Sequence, residues 1–427
     1  MKIAIIGSGI SGLSCAHELH MAHEVDVFEA EQRIGGHTAT VDVAIGGRHF
    51  AIDTGFIVFN DRTYPGFIKL LDKLGVSSKP TEMSFSVSDA ASGLEYAGTS
   101  INTLFAQRKN ILSPRYLGML REILRFNKQS VADLEGGQVE PGLVLGDYLE
   151  RNNYGQAFKD NYLIPMGSAI WSTDVQQMMS FPLQLFIRFF RNHGLLSVTN
   201  RPQWRVIEGG SREYLAPLTA GFSDRIHTNC PVRSVRRLQI GVELSFDKEK
   251  KFYDAVVFAC HSDQALALLA DPSLAENQIL AAIPYQKNEV VLHTDTRLLP
   301  KNRRAWASWN YHCAGAGQAA ALTYNMNILQ GLDAPETFCV TLNQSERINP
   351  HKILGRFSYS HPVFTVEGAR AQQRWEEVNN GDTWFCGAYW RNGFHEDGVD
   401  SAMRVAESLN SAAQLRPAQL SMIGGAA

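Results

Sequence analysis

The sequence predicts an α/β fold built on a doubly wound parallel sheet, and three observations predict it. Lys2 to Ile6 is an apolar run stopped at once by Gly7, which reads as a buried strand. Gly7-Ser8-Gly9-Ile10-Ser11-Gly12 follows, then Leu13, Ala16 and Leu19 at helical spacing. A second apolar strand, Val25 to Phe28, ends in Glu29. Strand, glycine turn, helix and strand in that order make a βαβ unit of the dinucleotide-binding kind. Gly7 permits the tight turn, Gly9 lets backbone approach a pyrophosphate, and Gly12 lets helix and strand pack closely. The phosphates would rest at the helix N-terminus, where unpaired N–H groups and the dipole favour negative charge. Glu29 stands roughly 20 residues past the glycines, the place of an acid that binds ribose. An acid there disfavours a 2′-phosphate, so NADP-type binding is not expected.

Beyond Glu29 the chain reads Ala30-Glu31-Gln32-Arg33-Ile34-Gly35-Gly36-His37. Together with the glycine turn this resembles the flavin-dependent amine oxidases and their relatives phytoene desaturase and protoporphyrinogen oxidase. Their FAD fingerprint continues into an Arg-x-Gly-Gly segment, matched by Arg33, Gly35 and Gly36. The resemblance implies a Rossmann-type FAD-binding domain, with Ser8, Ile10, Ser11, Ala30 and His37 among the residues beside the cofactor. The family usually has arginine after the glycines; His37 makes a charge contact from this position pH-dependent.

With 427 residues the chain suggests two interleaved domains. Residues 1–80, 205–268 and 376–427 are expected to bind FAD, and 81–204 and 269–375 to form a discontinuous α+β substrate domain. A net charge of −3 gives no broad basic surface, so no nucleic-acid partner is expected. No run of about 18 apolar residues exists, which predicts no transmembrane helix. The N-terminus enters a strand too soon for a signal peptide. Cys15, Cys230, Cys260, Cys313, Cys339 and Cys386 lack CxxC spacing, against a zinc site and for a reducing cytoplasm. Nothing in the sequence fixes an oligomeric state.

In chain order, Phe50 to Phe59 is apolar around Asp53 and Thr54. It reads as a core strand ending in a turn and resembles the family's Asp-x-Gly segment along the flavin ring, which implies Gly55, Phe56 and Ile57 as neighbours of FAD. Tyr64-Pro65-Gly66 opens an amphipathic helix with Phe67, Leu70, Leu71 and Leu74 on one side. Leu104 to Val131 reads as helical with a break near Ser113-Pro114, and carries Arg108, Lys109, Arg115, Arg121, Arg125 and Lys128 among apolar residues. Such a stretch either lies on an anionic membrane surface or is a solvated face of a helical domain. Phe181 to Leu196, dense in aromatics, reads as core or as the wall of a greasy channel. Pro165 to Ser172 resembles family sequence at the domain junction.

Trp204 to Pro217 returns the chain to the cofactor domain, where Gly209-Gly210 resembles a second glycine pair. Ile226 to Val232 reads as a strand entering a turn, and the resemblance places the backbone of Val232 at the adenine. Phe252 to Cys260 reads as one buried strand, matching the family's Tyr-Asp-x-Val-Val-x-Ala pattern with Ala259 near ribose and pyrophosphate. Val290 to His293 reads as a strand. Many amine oxidases place a flavin-side lysine just before it; Glu289, not Lys287, falls there, which argues against oxygen-dependent amine oxidation. Gly315-Ala316-Gly317 has no apolar strand before it and reads as a loop. Ser358 to Phe364 sets Tyr359 and His361 before Pro362 and reads as a proline turn. Thr383 to Gly387 is a strand ending in glycine, and Gly393 to Val399 leads into a helix from about Asp400 to Leu409. The family closes its FAD domain this way, which implies Gly387, Asp397 and Val399 at the cofactor and a helix dipole that stabilises reduced flavin. Ala388 stands where most relatives carry a ribitol-binding acid, and Asp397 either caps the helix or takes that hydroxyl.

These readings predict a flavoprotein with non-covalent FAD that transfers hydride from a substrate C–H to flavin N5. His395-Glu396-Asp397-Gly398 and Trp306 to Tyr311 resemble a bacterial branch associated with cyclopropane and modified fatty-acid metabolism, implying a hydrophobic, lipid or fatty-acyl substrate. Tyr359, His361 and Phe394 are the expected wall beside the reacting bond, with His361 able to take a proton. Two alternatives stay open: a small-amine oxidase making peroxide, and a non-redox FAD-binding isomerase or lipid-binding module.

Overall fold

The computed structural model describes residues 1–197, 199, 201–313 and 321–423. Lys2–Ile6 is the centre of a five-stranded sheet, with Glu24–Phe28 and then Ile226–His227 on one side and Ala255–Phe258 and then Thr383–Phe385 on the other. Every pairing is parallel. A parallel sheet is covered on both faces, so its strands are apolar throughout; Ile3, Ala4, Ile5 and all of Ala255–Phe258 are fully buried. Helix Ile10–Leu19 covers the sheet and packs against the closing helix His395–Ile423. The strand order reverses at Lys2–Ile6, and a ligand crevice lies beyond the carboxyl end of a strand at such a point.

Two expectations are corrected here. Phe252 to Cys260 is two strands, not one. Lys250–Tyr253 belongs to an antiparallel meander with Ser234–Arg237 and Val242–Ser245, and only Ala255–Phe258 enters the main sheet. The chain turns at Asp254, whose carboxylate accepts the Lys2 N–H (2.6 Å), and Phe252 is left exposed. The closing helix begins at His395, well before Asp400. Asp397 causes this: its carboxylate accepts the Phe394 N–H (2.9 Å), pairing a donor that a helix start leaves free.

A second, seven-stranded mixed sheet runs in the order Ile353–Pro362, Tyr285–His293, Cys339–Leu342, Ala321–Asn325, Trp309–Cys313, Phe85–Asp89, Leu94–Ala97. Ser358 to Pro362 is therefore edge strand and not a turn; Pro362 pairs with Tyr285 at its end, where the missing N–H costs the ladder least. Gly315-Ala316-Gly317 lies outside the described residues. Helices Pro114–Glu135, Leu145–Arg151, Ile164–Trp171 and Leu183–Asn192 enclose Phe126, Phe158, Phe181, Phe186 and Phe190, all buried. The break near Ser113-Pro114 is the start of a helix: Ser113 Oγ accepts the Tyr116 N–H and Pro114 holds the first position, both features of an N-terminus. Among the described residues no helix is long and apolar enough to cross a membrane.

Candidate active site

A cavity of about 600 Å³ begins at the carboxyl end of Lys2–Ile6. Gly7, Ser8, Gly9, Ile10, Ser11 and Glu29 line it on the cofactor-domain side, Gly98 and Thr99 line it just past strand Leu94–Ala97, and Tyr162, Met166 and Trp171 line it in the helical layer. Gly7 has φ +105°, and a Cβ on Gly12 would stand 2.0 Å from Gly7 O, so the first turn of the helix lies directly on the strand end. Gly9 caps that helix with no side-chain acceptor over its first N–H groups, and among the described residues nothing beyond its own turn lies within 4 Å of a Cβ built there. Glu29 closes the turn by accepting from Ser8 N–H (3.0 Å) and Ser8 Oγ (2.5 Å). An uncapped helix start beside an open glycine, with an acid at the next strand end, fits the pyrophosphate and ribose of FAD.

The following loop crosses over this turn. Gly35 N–H donates to Ser8 O (2.9 Å). Arg33 donates to Thr38 O and Gly36 O, both at 2.6 Å, so it braces the loop. His37, Gly55, Phe56, Ile57, Ala259 and Gly387 line the cavity, as do Gly36 and Ala388. Gly12, Ala30, Arg33, Gly35, Val232, Asp397 and Val399 do not. Val232 follows Cys230, whose N–H donates to Glu29 O (2.8 Å), so that segment flanks Glu29 from outside the cavity. Val399 is core. Asp397 is turned onto its own helix start, and burial pushes it up to about 7; of the two roles the sequence allows it, this geometry supports the cap. A Cβ on Gly55 would meet His37 O at 2.2 Å, so chain packing requires that glycine before any ligand does. Cys386 is fully buried and outside the lining.

Tyr359 and His361 come together at the cavity with His37, whose ring centre is 5.1 Å from the first and 5.3 Å from the second. Tyr359 Oη is 2.9 Å from Thr54 Oγ1. Phe394 lines the same space and stacks on Phe189 at 5.0 Å; His395 stacks on Phe56 at 3.5 Å. Burial, with His361 and His261 nearby, pulls His37 well below the usual imidazole range, and its Nε2 is buried without a hydrogen-bond partner among the described residues. His37 is therefore neutral, which corrects the expected pH-dependent charge contact.

His361 is also corrected as a base. Asn288 Nδ2 donates to His361 Nδ1 (3.0 Å), while Asn288 Oδ1 accepts from Asn343 Nδ2 (2.8 Å). Asn343 fixes which way the Asn288 amide faces, so His361 Nδ1 is an acceptor and the proton sits on Nε2. Burial and His261 pull His361 down to about 4. It is a neutral donor.

The flavin-side lysine position is corrected by strand alternation. Asn288 pairs with Tyr359 and Gln286 with His361 across the two strands, and paired residues share a face. Val290 lies on that face and lines the cavity. Glu289 points the other way, to Arg356 (2.7 Å) and Ser345 Oγ (2.5 Å). Asn288 occupies the cavity side, behind His361.

Sequence reasoning missed much of the wall. Met166, Ile170, Trp171 and Ser172 of the junction segment line it, as do Met83, Phe85, Tyr96, Trp309 and Tyr324. Of the aromatic run, Phe189 and Leu195 reach the cavity while Phe181, Phe186 and Phe190 are core. Among the described residues, Glu29 and Arg201 are the fully charged side chains in the lining.

A family model for flavin containing amine oxidoreductase matches residues 10–319. A putative flavin-containing monoamine oxidase, AofH, of Mycobacterium tuberculosis (strain CDC 1551 / Oshkosh) is 23% identical over 333 residues, 75% of this chain and 68% of that protein. Among solved structures, cyclohexylamine oxidase from Brevibacterium oxydans IH-35A superposes with a TM-score of 0.68 at 15% identity, over 96% of this chain and 99% of its own. A CLA-producing fatty acid isomerase from P. acnes gives 0.68 at 13%, over 96% and 98%. At these identities the superpositions show a shared fold, and they pair an amine substrate with a fatty-acid one on the same scaffold.

Proposed function

The chain belongs to the flavin-containing amine oxidoreductase family and is an FAD-dependent oxidoreductase, and from that premise we propose that it dehydrogenates an apolar substrate of the lipid or fatty-acyl class. The observation that carries this reading is the wall of the cavity. Ile57, Val58, Met83, Met166, Ile170, Leu195, Leu329 and Leu342 stand with Phe85, Trp171, Phe189, Phe364 and Phe394, and among the described residues the one carboxylate in the lining, Glu29, belongs to the glycine turn. Each methylene taken from water into such a wall contributes about 0.8 kcal/mol, so a long acyl chain gains with every carbon. An ammonium group would lose its hydration and meet no carboxylate beyond the glycine turn.

When bound, FAD would supply the acceptor for a hydride from a substrate C–H. The protein contributes position and dryness. Tyr359, held by Thr54, and Phe394, held by Phe189, form two sides of a slot for the reacting carbons. Trp171 and Phe364 help to exclude water. His361 presents Nε2–H as a fixed dipole, with Asn288 behind it. Orientation of this kind accounts for much of the rate where the acceptor is supplied ready-made.

The test is anaerobic mixing of the FAD-loaded protein with detergent-dispersed acyl lipids on one side and primary amines on the other. Bleaching of the flavin band by acyl lipids is expected. Bleaching by amines alone overturns the proposal.

A further inference from the structure

The surface that the cavity does not use lies at the rim of the helical layer. Leu112 is 86% exposed and Ile101 79%, and Ile111, Leu117 and Leu124 are exposed with them. Single apolar side chains in water need no explanation, but several on one face do. They fall together within residues 101–124. Tyr116 Oη donates to Leu104 O (2.6 Å), which ties residues 101–112 to the first turn of helix Pro114–Glu135. Along that helix Tyr116, Met119, Phe126 and Ser130 face inward. Leu117, Arg121, Leu124 and Lys128, spaced at single turns, form one outward stripe.

The charge on this face opposes that of the whole. Between residues 98 and 128 stand six cations and one acid, Glu122, in a chain of net charge −3. Glu122 is engaged, accepting the Gly155 N–H (2.9 Å) and lying 3.6 Å from Arg125. Lys109, Arg115, Arg121 and Lys128 have no carboxylate within salt-bridge distance among the described residues. The same face adjoins the cavity, whose lining includes Gly98 and Thr99, two residues before Ile101.

We propose that this protein docks peripherally on an anionic lipid bilayer through residues 101–128 and takes its substrate from that bilayer. Exposed leucines and isoleucines enter the headgroup boundary while the surrounding cations meet lipid phosphates. A second copy of the chain does not fit this face, because two such cationic surfaces repel. Delivery from the bilayer rests on the apolar-substrate reading above; the docking itself does not.

The test is co-sedimentation of the FAD-loaded full chain with vesicles of phosphatidylcholine alone and of phosphatidylcholine mixed with phosphatidylglycerol. Pelleting with the mixed vesicles only, and its suppression by high salt, is expected. Each cation removed should cost about fivefold in partition, so Lys109→Gln/Arg115→Gln should cost about twenty-fivefold and Arg121→Gln/Lys128→Gln a similar amount. Flavin content and thermal midpoint identify folded variants, and the second pair serves where the first misfolds. No pelleting, or pelleting unchanged in both pairs, overturns the proposal. So does a homodimer that Leu112→Glu converts to monomer without altering vesicle binding. Flavin reduction by detergent-dispersed acyl lipid needs no vesicle: its success without docking overturns only this inference, and docking without reduction overturns only the substrate reading.

Discussion

Gly9→Ala and Gly12→Ala should separate the two demands placed on the glycine turn. At Gly12 a methyl would stand 2.0 Å from Gly7 O and 3.1 Å from Ala259 Cβ. The first contact is backbone against backbone, so the helix must lift from the strand, at a cost near the upper end of about 1–3 kcal/mol for overpacking. At Gly9 the backbone is φ −69°, ψ 179°, open to any residue, and a methyl meets nothing within 4 Å. Stability there should change by no more than about 0.5 kcal/mol. The methyl would, however, fill the approach to the first-turn N–H groups of Ile10 and Ser11. Losing two donors to a charged phosphate, at about 1.5–3 kcal/mol each, amounts to about 3 kcal/mol or more, roughly a hundredfold in Kd. The assay pairs flavin-fluorescence titration with thermal unfolding of the flavin-free chain. Gly12→Ala should lose both stability and FAD affinity, and Gly9→Ala affinity alone. A Gly9→Ala protein that binds FAD like the parent refutes the placement of the pyrophosphate.

Glu29→Ala should weaken FAD binding by about 1–3 kcal/mol, read by the same titration; unchanged affinity would show that the ribose contact lies elsewhere. His361→Ala should slow flavin reduction while FAD stays bound, and in the parent the reduction rate should show no inflection from His361 above about pH 5, because its folded pKa is about 4. Stopped-flow reduction across pH checks both. The holoprotein should lose stability on acidification. Burial holds His193 and His361 down at about 4 and His395 at about 3, and His293 at about 4. The unfolded chain therefore binds extra protons, and stability present above about pH 6.5 is lost as pH falls towards 4. Asp53 and Asp397, raised by burial to about 6 and about 7, act in the opposite direction but are fewer. A thermal midpoint that rises between pH 7 and pH 5 contradicts this.

Local motifs were legible in the sequence because one stretch carries the whole device. Gly7 to Gly12 with Glu29 contains strand, turn, helix cap and acid, and Thr383 to Gly387 is recognisable beside its helix. What depends on a partner strand was not. Glu289 and Asn288 differ by one residue, and which of them faces the cavity is decided by pairing with Ile353–Pro362, far along the chain. Phe252 to Cys260 reads as one strand because Asp254 is the sole interruption; its carboxylate on Lys2 N–H is a long-range contact. Asp397 drew attention as a ligand because a lone acid carries no sign of whether it turns to a helix start or to a cofactor. The wall built by Tyr96, Trp171, Trp309 and Tyr324 could not be assembled from sequence, since each reads alone as core. The amphipathic stretch at 104–131 showed its charges plainly, but only the folded face shows that Leu112 and Ile101 stand outside with them.

The measurement that bears most directly on the proposed reaction is the mass of an acyl lipid recovered after a single anaerobic turnover with the FAD-loaded protein. An apolar-substrate dehydrogenase predicts an acyl chain two hydrogens lighter, formed in proportion to flavin bleached. A chain of unchanged mass with the flavin still oxidised, beside amines that bleach it, contradicts the account.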